Sequence, residues 1–181
     1  MEAHVDAGLK RALGLIREIV DYPHRGIVFQ DLTPLLADAQ AFNSVIEELE
    51  PLCDDIDYVA GIEARGFIFA AAVAQRARKG FVPLRKAGKL PSATHEESYG
   101  LEYGLDVLQI HQDAISKHGR VLLIDDVLAT GGTLLAGHRL IERAGAVVAC
   151  AATVLEITSL NGRAKLAEHV PHTPLHVIFA R

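Results

Sequence analysis

Cysteine is scarce in this sequence, and long apolar runs are missing. The two cysteines, Cys53 and Cys150, lie far apart and match no zinc-ligand spacing, so we expect free thiols in a reducing compartment. No apolar run reaches the roughly 18 residues that a membrane span needs. The N-terminal segment contains Glu2 and Asp6 and lacks the apolar stretch of a secretory signal. We therefore expect a soluble, cytoplasmic protein that does not act at a membrane.

The sequence also lacks a net positive charge. The formal net charge is -5 and no basic run occurs, whereas domains that bind nucleic acid usually carry a positive stripe. Nucleic acid is therefore not expected as a partner. The sequence shows no internal repeat, low-complexity tract or linker-like shift in composition. With 181 residues, half of them hydrophobic, it predicts a single domain over residues 1–181 with a sizeable core.

Short apolar segments that alternate with helical patterns make up most of the chain. The predicted strands are 58–61, 81–84, 101–110, 121–125, 147–157 and 175–179, and the predicted helices are 4–21, 39–52, 66–79, 160–168 and one that begins near Gly132. Residues 86–100 are polar and contain Gly88, Pro91 and Gly100, which indicates a long exposed loop. This alternation predicts an α/β fold with a central parallel sheet flanked by helices.

One segment, VLLIDDVLATGGT at residues 121–133, combines features that suit phosphate binding. Its apolar strand ends in Asp125 and Asp126, and the residues that open the following helix are Thr130, Gly131, Gly132 and Thr133. In an open parallel sheet, ligands bind at the carboxyl ends of the strands. Glycines let main-chain N–H groups approach a phosphate, which the positive end of a helix dipole also favours. The two acids can accept hydrogen bonds from ribose hydroxyls or order a hydrated Mg²⁺.

Other phosphate-binding patterns do not fit this chain. No Lys follows the glycines of residues 121–133, and the Gly61–Gly66 spacing is followed by Phe67 where a Walker A loop needs Lys. No G-x-G-x-x-G dinucleotide pattern occurs. The alternative is a purely structural role, as an ordinary strand-to-helix turn capped by Gly and Thr. The order of apolar strand, paired acids and Thr-Gly-Gly-Thr argues against this alternative.

The segment 121–133 resembles the phosphoribosyl diphosphate (PRPP) signature of type I phosphoribosyltransferases. The resemblance implies that the five residues Ala129, Thr130, Gly131, Gly132 and Thr133 hold the 5-phosphate. It implies that Asp125 and Asp126 face the ribose hydroxyls. It also implies Mg²⁺ as a cofactor that arrives with PRPP, with no direct protein ligand and with water-mediated contacts to the two acids.

Further segments are similar to adenine phosphoribosyltransferases, in the same order along the chain. Residues 21–36 resemble the family's hood over the base, within an N-terminal part that spans 1–36. Residues 60–74 resemble its pyrophosphate loop, and 84–104 resemble its catalytic loop, which we expect to be mobile over 85–104. Residues 154–167 match its C-terminal part. The resemblance therefore implies transfer of phosphoribose from PRPP to adenine, giving AMP and pyrophosphate.

The same resemblance assigns residue roles. The expected pyrophosphate-binding residues are Glu63, Ala64, Arg65, Lys86 and Lys89, with a cis peptide at Glu63–Ala64. The expected catalytic residues are Arg85, Glu102 and Tyr103. Of these, Glu102 would accept the proton that adenine loses. The expected adenine-binding residues are Val28, Phe29, Gln30, Val127 and Leu128. For Lys86 and Lys89 a solvated surface position is the alternative, and for Phe29 and Val127 it is a place in the core.

Three positions depart from the family pattern, namely Gln30, Ala87 and Val127. The last could loosen or broaden the choice of base. His169, His172 and His176 lie between prolines without a metal-binding spacing, so we expect surface positions for them. Two alternative functions stay open: a phosphoribosyltransferase for hypoxanthine, guanine or xanthine, and a PRPP-sensing regulator without catalysis. Size and family also imply a homodimer.

Overall fold

The computed structural model describes residues 7–101 and 104–181. The chain divides into two compact units, one that ends at Glu48 and one from Leu49 to Arg181. The predicted hood segment, which ends at residue 36, lies within the first unit.

The first unit contains three helices and a two-stranded antiparallel ribbon. Its elements are helix α1 (Ala7–Leu15), strand β1 (Arg17–Val20), strand β2 (Val28–Asp31), helix α2 (Thr33–Ala37) and helix α3 (Ala39–Leu49). The predicted helix over 4–21 is wrong from Arg17 onward, because residues 17–20 pair with β2. Ile19 and Val20 are β-branched and favour a strand. An ion pair between Arg17 and Asp31 crosses the ribbon at 2.7 Å.

The second unit is built on a seven-stranded sheet. Its strands are β3 (Tyr58–Ile62), β4 (Gly80–Lys86), β5 (Thr94–Leu101), β6 (Gly104–His111), β7 (Arg120–Leu128), β8 (Val147–Glu156) and β9 (Leu175–Ala180). Its helices are α4 (Gly66–Ala77), α5 (Gly132–Arg143) and α6 (Gly162–His169), with short 3₁₀ helices at Glu50–Cys53 and Thr158–Leu160. The strand order is β5-β6-β4-β3-β7-β8-β9.

Five neighbouring strands of this sheet, from β4 to β9 across β3, β7 and β8, run parallel. Strand β7 lies in the middle, and its residues Leu122, Leu123 and Ile124 are fully buried. Such a continuous apolar run is what a parallel strand covered on both faces requires. The predicted α/β fold with a central parallel sheet flanked by helices is thus confirmed.

The predicted long loop over 86–100 is wrong for most of its length. Strand β4 continues to Lys86, and residues 94–101 form β5, which pairs antiparallel with β6 from Thr94↔His111 to Leu101↔Gly104. Only residues 87–93 connect the strands. The segment escaped prediction because its more buried face, at His95, Glu97 and Tyr99, carries mostly polar side chains.

Among the described helices, none is both long and apolar enough to cross a membrane. Both cysteines are free thiols, as predicted. Burial raises the pKa of Cys53 to about 11 and also raises the pKa of Cys150. A thiol that resists ionisation is a poor nucleophile, so neither cysteine is a candidate for the chemistry.

Candidate active site

The predicted phosphate cradle lies between the carboxyl end of β7 and the amino end of α5. The strand extends past the two acids to Leu128, so the connecting loop is only 129–131. Gly131 caps the helix with a left-handed backbone (φ 80°), and its carbonyl accepts a hydrogen bond from the Leu135 N–H at 3.0 Å. Thr130 is exposed and Thr133 is half-buried. The helix therefore presents its amino end beside an accessible hydroxyl, which suits an anion.

A second segment supports this loop from behind. Gly162, the first residue of α6, lies so close that a β-carbon on it would be 2.3 Å from the Ala129 carbonyl oxygen. A β-carbon on Gly131 would in turn be 2.8 Å from the Gly162 carbonyl oxygen. Only glycine fits at both positions. No role for Gly162 follows from the sequence, since a glycine at a helix start has many explanations.

The two acids at the end of β7 are both buried. The Asp125 carboxylate accepts a hydrogen bond from the Asp126 N–H at 2.9 Å. Burial raises the pKa of Asp125 well above its usual range, and the neighbouring Asp126 charge adds to this effect. Hydrogen-bond donors such as ribose hydroxyls, or a hydrated cation, would compensate a charge buried here.

The first predicted pyrophosphate-binding residue, Arg65, precedes α4 and pairs with Asp126. The Arg65 Nε lies 2.5 Å from the Asp126 Oδ2. The peptide bond Glu63–Ala64 is cis, which confirms the expectation from the family resemblance. The loop between β3 and α4 is thus tied directly to the acids of β7.

The Glu63 carboxylate gathers three groups from β4 and the residues after it. It accepts hydrogen bonds from the Lys86 N–H at 2.9 Å and the Arg85 Nε at 3.2 Å, and the Lys89 ammonium lies 3.4 Å away. Burial opposes ionisation, but these donors outweigh it and lower the pKa of Glu63. The side chain of Glu63 therefore orients the predicted cations, and pyrophosphate binding by Glu63 and Ala64 stays a prediction.

Lys86 belongs to a second network, which the sequence analysis missed. Its ammonium lies 2.9 Å from the Asp106 Oδ2, which also accepts a hydrogen bond from the Tyr99 hydroxyl at 3.1 Å. Burial, followed by the Asp106 charge, raises the pKa of Tyr99 to about 12, while a hydrogen bond with Thr133 acts in the opposite direction. Tyr99 thus connects the β5–β6 hairpin to the phosphate cradle.

The hairpin is also fastened to α5. The Glu97 carboxylate pairs with Arg139 at 3.3 Å and with Arg143 at 2.7 Å. The two arginines are four residues apart and so lie on one face of the helix. These contacts explain why the polar residues of β5 form a strand.

Comparison with known proteins identifies the family. The phosphoribosyl transferase domain model matches residues 36–172. An adenine phosphoribosyltransferase of Thermobifida fusca is 56% identical over 155 residues, which are 84% of this chain and 88% of that protein. The chain belongs to the adenine phosphoribosyltransferase family.

Solved structures agree with this assignment. The adenine phosphoribosyltransferase of Thermoanaerobacter pseudethanolicus is 44% identical and superposes with a TM-score of 0.90, covering 96% of this chain and 99% of that one. The Saccharomyces cerevisiae enzyme, solved with adenine and an imino-altritol bisphosphate, is 33% identical with a TM-score of 0.87, covering 94% and 98%.

The residues that this phosphoribosyltransferase was predicted to use for adenine lie in both units. In the first unit Val28 is exposed, Gln30 is buried, and the Phe29 ring packs edge-on against Tyr22 with centroids 5.1 Å apart. In the second unit Val127 is half-buried, whereas Leu128 is part of the hydrophobic core. The side chain of Leu128 has no surface for a base, so only its main chain remains a candidate.

Two predicted catalytic residues of this phosphoribosyltransferase, Glu102 and Tyr103, lie outside the described residues. The third, Arg85, donates through Nη1 to the Lys89 carbonyl at 3.2 Å in addition to its contact with Glu63. His169 and His172 are exposed, in line with the expected surface positions, and His176 is half-buried.

The donor set fits a metal that the substrate carries. Residues 7–101 and 104–181 contain no group of three or more His, Cys, Asp or Glu side chains that could hold an ion alone. Mg²⁺ keeps several waters and takes one or two carboxylates together with phosphate oxygens. Asp125 and Asp126 provide two adjacent carboxylates at the phosphate cradle, which match this requirement.

Another cavity lies away from the predicted site. It has a volume of about 410 Å³ and is lined by Tyr58, Lys79, Ser116 and Lys117, among others. These residues stand at the amino ends of the parallel strands, whereas ligands of open α/β sheets bind at the carboxyl ends. None of the predicted site residues lines this cavity.

Proposed function

We propose that this protein transfers the 5-phosphoribosyl group of PRPP to adenine and releases AMP and pyrophosphate. The observation that carries the proposal is the cradle after β7, where Asp125 and Asp126 lead into the Gly131 cap of α5. The relatives that are about half identical to this chain are named adenine phosphoribosyltransferases, which favours adenine over other purines.

The phosphate cradle would hold the 5-phosphate through main-chain N–H groups of residues 129–133 and the hydroxyls of Thr130 and Thr133. The adjacent carboxylates of Asp125 and Asp126 would accept hydrogen bonds from the ribose hydroxyls. Fixing the sugar at both ends exposes its C1 atom to the base, so positioning supplies part of the rate enhancement.

In the reaction, a ring nitrogen of adenine bonds to C1 of the ribose, and the C1–O bond to pyrophosphate breaks with its electron pair leaving on pyrophosphate. Positive charge develops on the sugar and negative charge on the leaving group. Arg65, Arg85, Lys86 and Lys89 would stabilise that negative charge. Each of these cations already pairs with a carboxylate, so they are oriented before the substrate arrives and need little reorganisation.

Adenine must lose a proton as the new bond forms. Glu102 is our candidate to accept it, since a carboxylate in a closed site can share a proton with a ring nitrogen in the transition state. Tyr103 would help to close the site. For the base itself, Val28, Phe29, Gln30, Val127 and Leu128 remain the predicted residues. The yeast enzyme with adenine bound supports a base site of this kind in the family.

Mg²⁺ would arrive with PRPP and neutralise phosphate charge when it is bound. Asp125 and Asp126 would hold it through water molecules. We also propose that the protein acts as a homodimer in the cytoplasm, where PRPP would be available. Light scattering of the purified protein measures its mass in solution. A homodimer should have twice the chain mass of 19.5 kDa.

The decisive experiment is an assay with PRPP, Mg²⁺ and each purine base in turn, followed by chromatography of the products. We expect AMP from adenine and much less nucleotide from hypoxanthine, guanine or xanthine. Preferred use of another base would replace the substrate that we propose. Binding of PRPP without any product would instead indicate a regulatory protein.

A further inference from the structure

Lys165, a residue of α6 to which the sequence analysis gave no role, reaches the phosphate cradle. Its Nζ lies 3.8 Å from the position that a β-carbon on Gly132 would occupy, and the Thr130 Oγ1 lies at the same distance from that point. The close approach of Gly162 to Ala129 and Gly131 brings α6 to this position.

The surroundings of Lys165 differ from those of the four predicted cations. Arg65, Arg85, Lys86 and Lys89 all pair with carboxylates. Lys165 has no carboxylate partner within the described ranges of the chain. Its ammonium stands beside the first residue of α5, at the positive end of that helix dipole, where cations are disfavoured and anions are stabilised. Lys165 is exposed, and an anion between its ammonium and the amino end of the helix would interact favourably with both.

A cavity of about 220 Å³ at this place is lined by Gly132, Arg139, Lys165 and His169, together with Ser98 to Gly100 of β5 and two apolar residues of α5. None of the described lining residues is acidic. Arg139 is already held by Glu97. Of the lysine and arginine side chains among the described lining residues, Lys165 is therefore the one that no carboxylate already holds.

We propose that Lys165 binds the 5-phosphate of the phosphoribosyl group, in addition to the main-chain cradle. This inference rests on the function proposed above. A phosphate monoester carries a charge of about -1.5 to -2 near neutral pH, and the cradle itself supplies only main-chain dipoles and hydroxyls. Lys165 would supply the positively charged group that the main-chain cradle does not offer to this phosphate. The predicted arginines and the other predicted lysines would bind pyrophosphate.

The test compares two ligands that occupy different parts of the substrate site. Calorimetry gives the Kd of ribose 5-phosphate, and separately that of pyrophosphate with Mg²⁺, for the unmodified protein and for Lys165→Met, Lys165→Arg and Lys117→Met. Lys117 is an exposed lysine at the far end of the sheet and serves as the control. A charge-assisted hydrogen bond predicts that Lys165→Met weakens ribose 5-phosphate about tenfold. Lys165→Arg should retain most of the affinity, and pyrophosphate should bind all variants within about twofold of the unmodified protein.

A second measurement keeps the proposal testable if Lys165→Met is poorly folded. The ³¹P chemical shift of bound ribose 5-phosphate, followed against pH, reports the second ionisation of its phosphate. A nearby ammonium favours the dianion, so Lys165→Gln should raise the pKa of the bound phosphate. Equal weakening of both ligands, or no change in either measurement, would overturn the role of Lys165. Failure of the unmodified protein to bind ribose 5-phosphate would overturn the proposed function as well.

Discussion

The guanidinium of Arg65 and the carboxylate of Asp126 form an ion pair, with 2.5 Å between Nε and Oδ2. They come from two different parts of the predicted site, since Arg65 is expected to bind pyrophosphate and Asp126 to bind ribose. The pair lies where the loop after β3 meets the end of β7, two parallel strands that are neighbours in the sheet. A substitution at either residue should therefore weaken the binding of both the ribose and the pyrophosphate group.

A double-mutant cycle on this pair gives the first prediction. Arg65→Ala should destabilise the fold, because it leaves the buried Asp126 charge without this partner, and we expect a coupling energy of about 1–2 kcal/mol. Urea denaturation of both single variants and the double variant measures it. The exposed pair Arg17–Asp31 is the control, with an expected coupling of about 0–1 kcal/mol. Equal coupling in the two pairs would contradict a special role for Asp126.

Asp125 should cost stability at neutral pH. An Asp whose pKa is higher in the folded than in the unfolded protein holds its proton more tightly when folded. Its contribution to stability is full below the ordinary Asp range and is lost as the pH rises through the folded pKa. Asp125→Asn should therefore melt about 2–4 °C higher than the unmodified protein at pH 8, as expected for about 1 kcal/mol. The same change should abolish most activity.

Melting curves between pH 4 and pH 8 in buffer with EDTA test this dependence. The difference in Tm should shrink toward pH of about 4, the ordinary pKa of Asp. Asp113→Asn, at an exposed position, should show no such trend. A lower Tm for Asp125→Asn at pH 8 would mean that the buried charge is stabilised by its surroundings.

The contact between Gly162 and the phosphate loop predicts a steep effect of a single methyl group. Gly162→Ala should cost about 1–3 kcal/mol by overpacking and should weaken PRPP binding, because the Ala129 carbonyl must move. In contrast, Gly14 lies in α1 with nothing within 4 Å of its β-carbon position. Gly14→Ala should raise stability by about 0.5–1 kcal/mol. Thermal melts and PRPP titrations of both variants suffice, and unchanged PRPP affinity in Gly162→Ala would refute the supporting role.

The proposed proton acceptor yields a kinetic prediction. Glu102→Ala should lower kcat about 100-fold or more, the usual contribution of a general base, while the Kd of PRPP changes little. Steady-state rates with adenine and calorimetry with PRPP separate the two effects. Glu168→Ala, an exposed change on α6, provides the control. Turnover that survives in Glu102→Ala would assign the proton to another group.

Local sequence patterns were sufficient to predict most strands and helices of the fold. The apolar segments of β3, β4, β7, β8 and β9 follow from hydrophobic runs, because a strand buried on both faces must be apolar throughout. The glycine-rich turn after β7 follows from backbone requirements that only a few residues meet. Strand β5 could not be predicted from a hydrophobic run, because most of its side chains are polar. The inward carboxylate of Glu97 pairs with Arg139 and Arg143 of α5, which follow it by about 40 residues.

The chemistry of the site was visible in the residue types along the chain: the paired acids, the glycine turn and the arginines after β3 and in β4. The pairing of each carboxylate with its cation was not visible in the sequence. Glu63 orients Arg85, Asp106 holds Lys86, Asp126 holds Arg65, and Lys165 is left to face the cradle. These pairings join residues that are 20 to about 60 positions apart, and they exist because the sheet places β3, β4, β6 and β7 side by side. Coulomb energy depends on distance in space, so the tertiary structure alone decides them.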